Sequence, residues 1–233
     1  MSEAATRREI VIVACAEAFR GDGEIMASPM GPEPALGARL AKATFEPDLL
    51  MTDGVSTVLH HGTPEGWMPY RFVFDTLWWG RRHVMMGATQ IDRYGNQNIS
   101  CLGDWAKPKV QLLGARGAPG NTINHTTSYW VPKHGPKVFV EKVDFVSGVG
   151  YDRAAQLTER QRRFHEIRRV VTDLAVLDFE TPDHRMRVRS LHPGVTADEV
   201  QAATGFELVI ADDVPATREP SADELALIRE WSA

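Results

Sequence analysis

Two cysteines in 233 residues are too few for a disulfide framework. Cys15 and Cys101 both lie in runs that read as helix or strand interior, so unpaired, reduced thiols are expected, and with them a cytoplasmic location. Long apolar runs are also missing. The stretch 10–16 is too short to span a bilayer and no cleavage pattern follows it, so neither a membrane segment nor an export signal is expected. Basic residues are outnumbered, 26 Lys and Arg against 31 Asp and Glu, for a formal charge of -5. That balance argues against nucleic acid as a partner, which needs a clustered cationic face, and any anionic ligand must be held by a local patch. No low-complexity linker or internal repeat interrupts the chain, so a single domain over 1–233 is expected. His60-His61, His184 and His192 have no cysteine or carboxylate at zinc-like spacing, and no metal is expected.

What is present is an alternation of helical and strand patterns. Residues 10–20 are apolar helix formers that stop at Gly21-Asp22-Gly23. A short strand is expected over 24–26, a rigid loop over 28–32, a proline-led helix over 34–44 and a buried parallel strand over 49–52. Residues 54–66 read as loop. Residues 71–82 read as a helix with Phe72, Phe74, Leu77 and Trp78 on its apolar stripe, and 83–86 as a methionine-rich strand. A short apolar run at 110–113 leads into a glycine-rich loop. Residues 137–145 read as β-rich, 151–166 as polar and partly helical, and 169–179 as two β-branched runs divided at Asp173. A strand at 186–191, a capped helix opening at Thr196, a strand at 207–210 and a terminal helix capped at Ser221 complete the series. The alternation predicts an α/β fold with an open, mostly parallel sheet and helices on both faces.

In such sheets ligands collect beyond the carboxyl ends of strands, where loops and unpaired amides converge. Three loops fit: 52–56, 90–98 and 114–124. In the second, Arg93-Tyr94-Gly95-Asn96 supplies turn chemistry, and the plain reading is a hairpin whose Asn and Asp side chains close the turn locally. That reading leaves an excess of amides unexplained. In the third, glycines let backbone amides approach a ligand in the geometry that stabilises an oxyanion, against the alternative of a plain surface loop. Arg116 within it can face a carboxylate or phosphate, or simply solvent.

Residues 87–100, GATQIDRYGNQNIS, resemble as a whole word the signature of the beta subunits of family I, glutaconate-type coenzyme A transferases. Pro47-Asp48, Gly103-Asp104 with Pro108-Lys109, the glycine-rich 114–124 segment, residues 139–146 with Gly150-Tyr151, and Thr204-Gly205-Phe206 resemble further family segments in order. Within the family, the words at 23–30, 50–54, 65–69, 80–84, 120–131 and 182–196 are similar to those of beta subunits of actinobacterial acyl-CoA hydrolases that open the last steroid (cholesterol) ring.

The resemblance implies a coenzyme A transferase-like fold and a companion alpha subunit in an α2β2 heterotetramer. It also implies an acyl-CoA substrate with no tightly bound cofactor, coenzyme A entering only as part of the thioester. Transferases of the family carry a nucleophilic glutamate after the Pro-Asp strand; that position falls here on Gly54. Asp53, one residue earlier, is shorter, points to the other side of a strand and reads better as a turn former. The resemblance therefore points to hydrolysis, with a base supplied by the alpha subunit. Gly117 and Ala118 are the expected oxyanion amides. Asn96, Asn98, Asn124 and His125 are expected as polar wall, and Arg93 as a partner for a substrate carboxylate. Against these stand the plain roles of turn closure for Asn96 and Asn98, helix capping for Asn124 and a satisfied buried histidine for His125. The acyl-exchange alternative remains for a chain that lacks the glutamate but keeps the scaffold.

Overall fold

A computed structural model describes residues 4–52, 57–60, 63–67 and 81–232. The chain resolves into two compact units, residues 1–86 with 218–233, and residues 87–217.

The first unit begins with α1 (Arg7–Ala18), opened by a capping box in which Thr6 Oγ1 accepts from Glu9 N at 3.3 Å and the Glu9 carboxylate accepts from Thr6 N at 2.6 Å. Its apolar run from Ile10 to Ala16 is buried. β1 (Met26–Pro29) follows, then α2 (Pro32–Thr44), with proline in its first turn where no amide is needed. Gly37 on α2 faces α1 so closely that a Cβ there would lie 2.6 Å from Cys15 Cβ, so the helix crossing itself requires glycine. β1 pairs in parallel with β2 (Leu50–Thr52) and β5 (Arg82–Gly87). β3 (Thr57–His60) and β4 (Thr63–Trp67) add antiparallel strands beyond β2.

The loop expected over 54–66 is thus a hairpin where it is described. Pro64 is compatible with this, because β4 closes the order β5-β1-β2-β3-β4 and an edge strand tolerates proline. Of the helix expected over 71–82 only Arg81 and Arg82 are described, Arg82 beginning β5; Asp53, Gly54, His61 and Trp78-Trp79 lie outside the described residues. The unit is completed from the far end of the sequence by α7 (Ala222–Ser232), tied to α1 by Arg229 Nε to Glu9 Oε1 at 2.8 Å and to α2 by Arg39 over the Trp231 ring at 4.0 Å.

The second unit is a continuous stretch. Two small hairpins come first, β6 (Gln90–Ile91) with β7 (Gln97–Asn98), and β8 (Cys101–Leu102) with β9 (Val110–Gln111). Then follow α3 (Ala118–Asn124), β10 (Thr126–Val131), two single-turn helices α4 (Tyr151–Ala154) and α5 (Glu159–Arg162), and β11 (Glu166–Thr172). β10 runs parallel to β11, while β12 (Ala175–Asp178) and β13 (Arg187–Leu191) continue as an antiparallel meander. The helix α6 (Ala197–Ala202) carries its expected capping box. Parallel pairs carry the heart of each unit and hairpins its edge, a mixed α/β fold. Tyr129, Ile167, Val170, Leu177 and Met186 are fully or almost fully buried in the second unit.

Two expected strands shrink to single bridges. Over 137–145 only Ile91 is engaged, donating to Val138 O at 2.7 Å and accepting from Val140 N at 3.0 Å. Over 207–210 only Val209 bridges, to Arg187. In each case a two-residue or terminal partner offers too little ladder to extend. Cys15 and Cys101 are free and buried, and burial pushes the Cys15 thiol well above its ordinary range, which keeps it protonated and inert. Among the described residues no helix is long and apolar enough to cross a membrane.

Candidate active site

The hairpin β6–β7 is built around Asp92. Its Oδ1 accepts from Tyr94 N at 3.1 Å and Asn96 N at 3.0 Å, while Gly95 N donates to Asp92 O at 3.0 Å. Gly95 has φ 83° and a Cβ there would meet Ile167 Cδ1 at 2.8 Å and Phe179 Cζ at 2.9 Å, so both conformation and space demand glycine. Burial raises the Asp92 pKa, with help from the nearby Asp152 charge, and the hydrogen bonds from Asn96 and Tyr94 pull it the other way.

Asn96 and Asn98, expected as polar wall, turn their polar groups onto the protein. Asn96 Nδ2 donates to Asp92 Oδ2 at 2.9 Å and Asp152 Oδ1 at 2.8 Å, and its Oδ1 accepts from Gly150 N at 2.8 Å. Asn98 Nδ2 donates to Gln90 Oε1 and to Cys101 O, each at 2.7 Å, and its Oδ1 accepts from Ser100 N at 2.9 Å. Both are buried, at 1% and 0% exposure, and their capacity is spent on the protein. They are frame. The Asn98 bonds are local, as turn closure would have them, whereas Asn96 also reaches Gly150 and Asp152, more than fifty positions away. Arg93 is likewise occupied, by the exposed Glu141 carboxylate, with Phe206 5.9 Å beneath its guanidinium.

The glycine loop presents a different picture. Gly114 has φ 85° and Arg116, exposed, has φ 50°, a left-handed conformation that a side chain other than Gly or Asn rarely takes. Gly117 caps α3 and its carbonyl accepts from Asn121 N at 2.9 Å. Of the two expected oxyanion donors, Ala118 is already used: its N–H donates to Ala115 O at 3.0 Å and the residue is 1% exposed. The N–H of Gly117 has no acceptor among the described residues. The expectation of two donors therefore reduces to one. Asn121 is the neighbour sequence reasoning missed, its Nδ2 3.5 Å from where a Gly117 Cβ would stand. Asn124 is exposed at the other end of α3, and His125, half-buried, is the C-cap, donating its N–H to Asn121 O at 3.0 Å.

Thr122, also unforeseen, joins loop and hairpin. Fully buried, its Oγ1 donates to Ala118 O and accepts from Val149 N, both at 3.0 Å, and its carbonyl accepts from His165 Nδ1 at 2.6 Å. Gly148, next to Val149, is pressed between Gln97 and Thr122, with Gln97 Oε1 and Thr122 Cγ2 each 2.9 Å from a built Cβ. Because a carbonyl only accepts, His165 carries its proton on Nδ1. Its Nε2 and Gln97 Oε1 are buried without partners among the described residues. Burial lowers the His165 pKa, so the ring is neutral near pH 7.

Residues 79–203 match the family described as Coenzyme A transferase. The chain is 55% identical to the cholesterol ring-cleaving hydrolase IpdB subunit of Rhodococcus jostii RHA1, over 97% of this chain and 91% of that one. In structure it is similar to a chain of R. jostii RHA1 IpdAB, with a TM-score of 0.92 and 54% identity over 98% of this chain and 94% of the other. It is also similar to glutaconate coenzyme A-transferase from Acidaminococcus fermentans, with a TM-score of 0.80 at 24% identity over 97% and 94%. The second structural likeness speaks for the fold alone. The motif order, the fold and these matches agree: the chain belongs to the coenzyme A transferase family.

Proposed function

We propose that this chain is the beta-type half of a two-subunit acyl-CoA hydrolase that opens a steroid-derived ring, with an alpha-type partner in an α2β2 assembly. The carrying observation is the 55% identity, sustained over 97% of the chain, to a subunit named for cholesterol ring cleavage. The absence of a glutamate at position 54, where the family resemblance places the transferase nucleophile, points the same way. Two buried free thiols suit the reducing cytoplasm.

The reaction is hydrolysis of a carbon–carbon bond in a cyclic β-keto acyl-CoA. A base on the partner takes a proton from water as its oxygen adds to the ring ketone, giving a tetrahedral oxyanion. Collapse breaks the bond to the carbon α to the thioester, forming a carboxylic acid and the thioester enolate, which takes a proton at that carbon. Two oxygens gain negative charge in turn, and the Gly117 N–H is the donor this chain offers to one of them. Arg116, held outward beside it, is placed to meet an anionic group of the substrate.

The test is turnover of a cyclic β-keto acyl-CoA by the co-purified complex in oxygen-18 water. One labelled oxygen in the new carboxylate and no transfer of coenzyme A to a free acid is expected. Acyl exchange, or a hydroxylamine-sensitive adduct on this chain, would establish the transferase instead. Gly117→Pro removes the amide and is expected to lower kcat by about 100-fold or more. Gly117→Ala keeps it, and its Cβ meets Asn121 Nδ2 at an ordinary 3.5 Å, so it should stay within a few-fold of wild type. Equal activity in both variants would remove Gly117 from the chemistry.

A further inference from the structure

We propose that the arginine-rich stretch 153–163, beside α3, holds the phosphates of the coenzyme A thioester. α5 is a four-residue helix with no buried residue, yet it has a full capping box: Thr158 Oγ1 accepts from Gln161 N at 3.4 Å and Gln161 Oε1 accepts from Thr158 N at 3.0 Å. Short helices persist by burying an apolar face, and this one has none to bury. What the cap secures is the display of Arg160, Arg162 and Arg163, all exposed, with Arg153 on α4 nearby in sequence.

Elsewhere in the same unit every arginine except Arg116 of the glycine loop is neutralised. Arg168 grips Glu166, Arg169 grips Glu180, Arg185 grips Asp183, and Arg187 and Arg189 share Asp178 and Glu180. Arg153, Arg160, Arg162 and Arg163 have no carboxylate within ion-pairing distance among the described residues. Arg163 rests instead 4.5 Å from the Phe164 ring. In a chain of net charge -5 this is a local surplus with a purpose. Guanidinium groups match phosphate oxygens two at a time and lose little freedom in doing so.

The place of the stretch fits the ligand. His165 lies two positions beyond it and its Nδ1 donates to Thr122 O at 2.6 Å, so the arginines are anchored on the C-terminal half of α3. From there back to Gly117 is about the length of α3, roughly 10 Å, an interval the flexible pantetheine arm covers. The assignment rests on the reading that the thioester lies at Gly117.

The experiment uses the two-subunit complex with an Arg160→Gln/Arg162→Gln double variant. Two substrates are compared, the cyclic β-keto acyl-CoA and the same acyl group on N-acetylcysteamine, which carries no phosphate. The wild-type preference for the coenzyme A ester, as a ratio of kcat/KM, is expected to fall about tenfold in the variant, driven by KM, and adenosine 3′,5′-bisphosphate should bind more weakly by a similar factor in calorimetry. Arg185→Gln, at a half-buried arginine outside the stretch, should keep the ratio. An unchanged ratio with unchanged bisphosphate binding overturns the assignment. So does dissociation of the complex on size exclusion without a change in ratio, which would make the stretch a subunit contact. Should the wild type turn over neither thioester, the reaction as read above fails, while the bisphosphate titration still decides the fate of the arginines.

Discussion

Replacing Asn96 by alanine separates frame from substrate wall. The substitution strips three bonds: those to Asp92 Oδ2 and Asp152 Oδ1, and the one accepted from Gly150 N. Asp152 is exposed and recovers water, at little cost. Asp92 and the Gly150 amide are buried, and each buried polar group left unpaired costs about 1–3 kcal/mol. The sum is about 4 kcal/mol, which for a unit of this size lowers Tm by roughly 10–15 °C. Asn96→Asp keeps the acceptor for Gly150 but sets a third carboxylate against Asp92 and Asp152. It should destabilise more than alanine at pH 7 and recover as pH falls, because a proton relieves the repulsion between crowded carboxyls. Thermal melts followed by circular dichroism, read beside KM of the complex, decide the matter. If Asn96→Ala leaves Tm within a degree and raises KM, the network is not what holds the hairpin and the residue faces substrate after all.

Two further outcomes follow from the geometry. His134 is 5% exposed, stacks on Phe139 at 4.0 Å between rings, and bonds Thr172 Oγ1 and Thr204 Oγ1 at 3.1 and 2.9 Å. Burial pushes its pKa down to about 4 from 6.5, so the fold penalises the protonated ring. Its contribution to stability is complete above about pH 6.5 and is lost as pH falls to about 4, some 3 kcal/mol in all; denaturant titrations across that range should show the slope, and His134→Asn should flatten it. Arg116→Gly relieves a left-handed side chain, so the Tm of the variant should hold or rise by a few degrees, while KM for the acyl-CoA increases. A fall in both Tm and kcat would show that the Arg116 side chain supports the loop rather than the substrate.

Most of the helices were readable because their signals are local, while α3 lay hidden in what reads as a glycine-rich loop over 114–124. Thr6, Thr158, Thr196 and Ser221 each stand three residues before the Glu or Gln that closes the cap, and all four close it. The hairpin turn at 93–96 was readable for the same reason. What failed was everything settled at a distance. The edge hairpin at 57–67 lies in what reads as loop, and Pro64 costs little on a strand with one free side. The alternation at 137–145 suggested a strand, but strand length is decided by the partner, and Ile91 offers only one residue of ladder. The amides of 90–98 were noticed as an excess, yet nothing local distinguishes an asparagine that meets a ligand from one that meets Gly150 and Asp152. Thr122 and His165 drew no attention, because a threonine inside a helix and a histidine before a strand acquire their roles only when positions 43 apart in the chain are brought together. Of the candidate site, the glycine loop was legible as a loop of special backbone, and its division into one spent and one open amide was not.

The return of α7 to α1 and α2 gives the protein a particular biosynthetic history. Residues 87–217 form a continuous body that can collapse as soon as it leaves the ribosome. The opening residues cannot finish in the same way, since Glu9 waits for Arg229 and Glu17 for Arg218, over 200 positions later. A nascent chain therefore carries an amino-terminal body that lacks its last helix through nearly the whole of translation. Premature stops near position 215 should yield polypeptides that chaperones retain and proteases clear, even though every residue discussed for chemistry is already present.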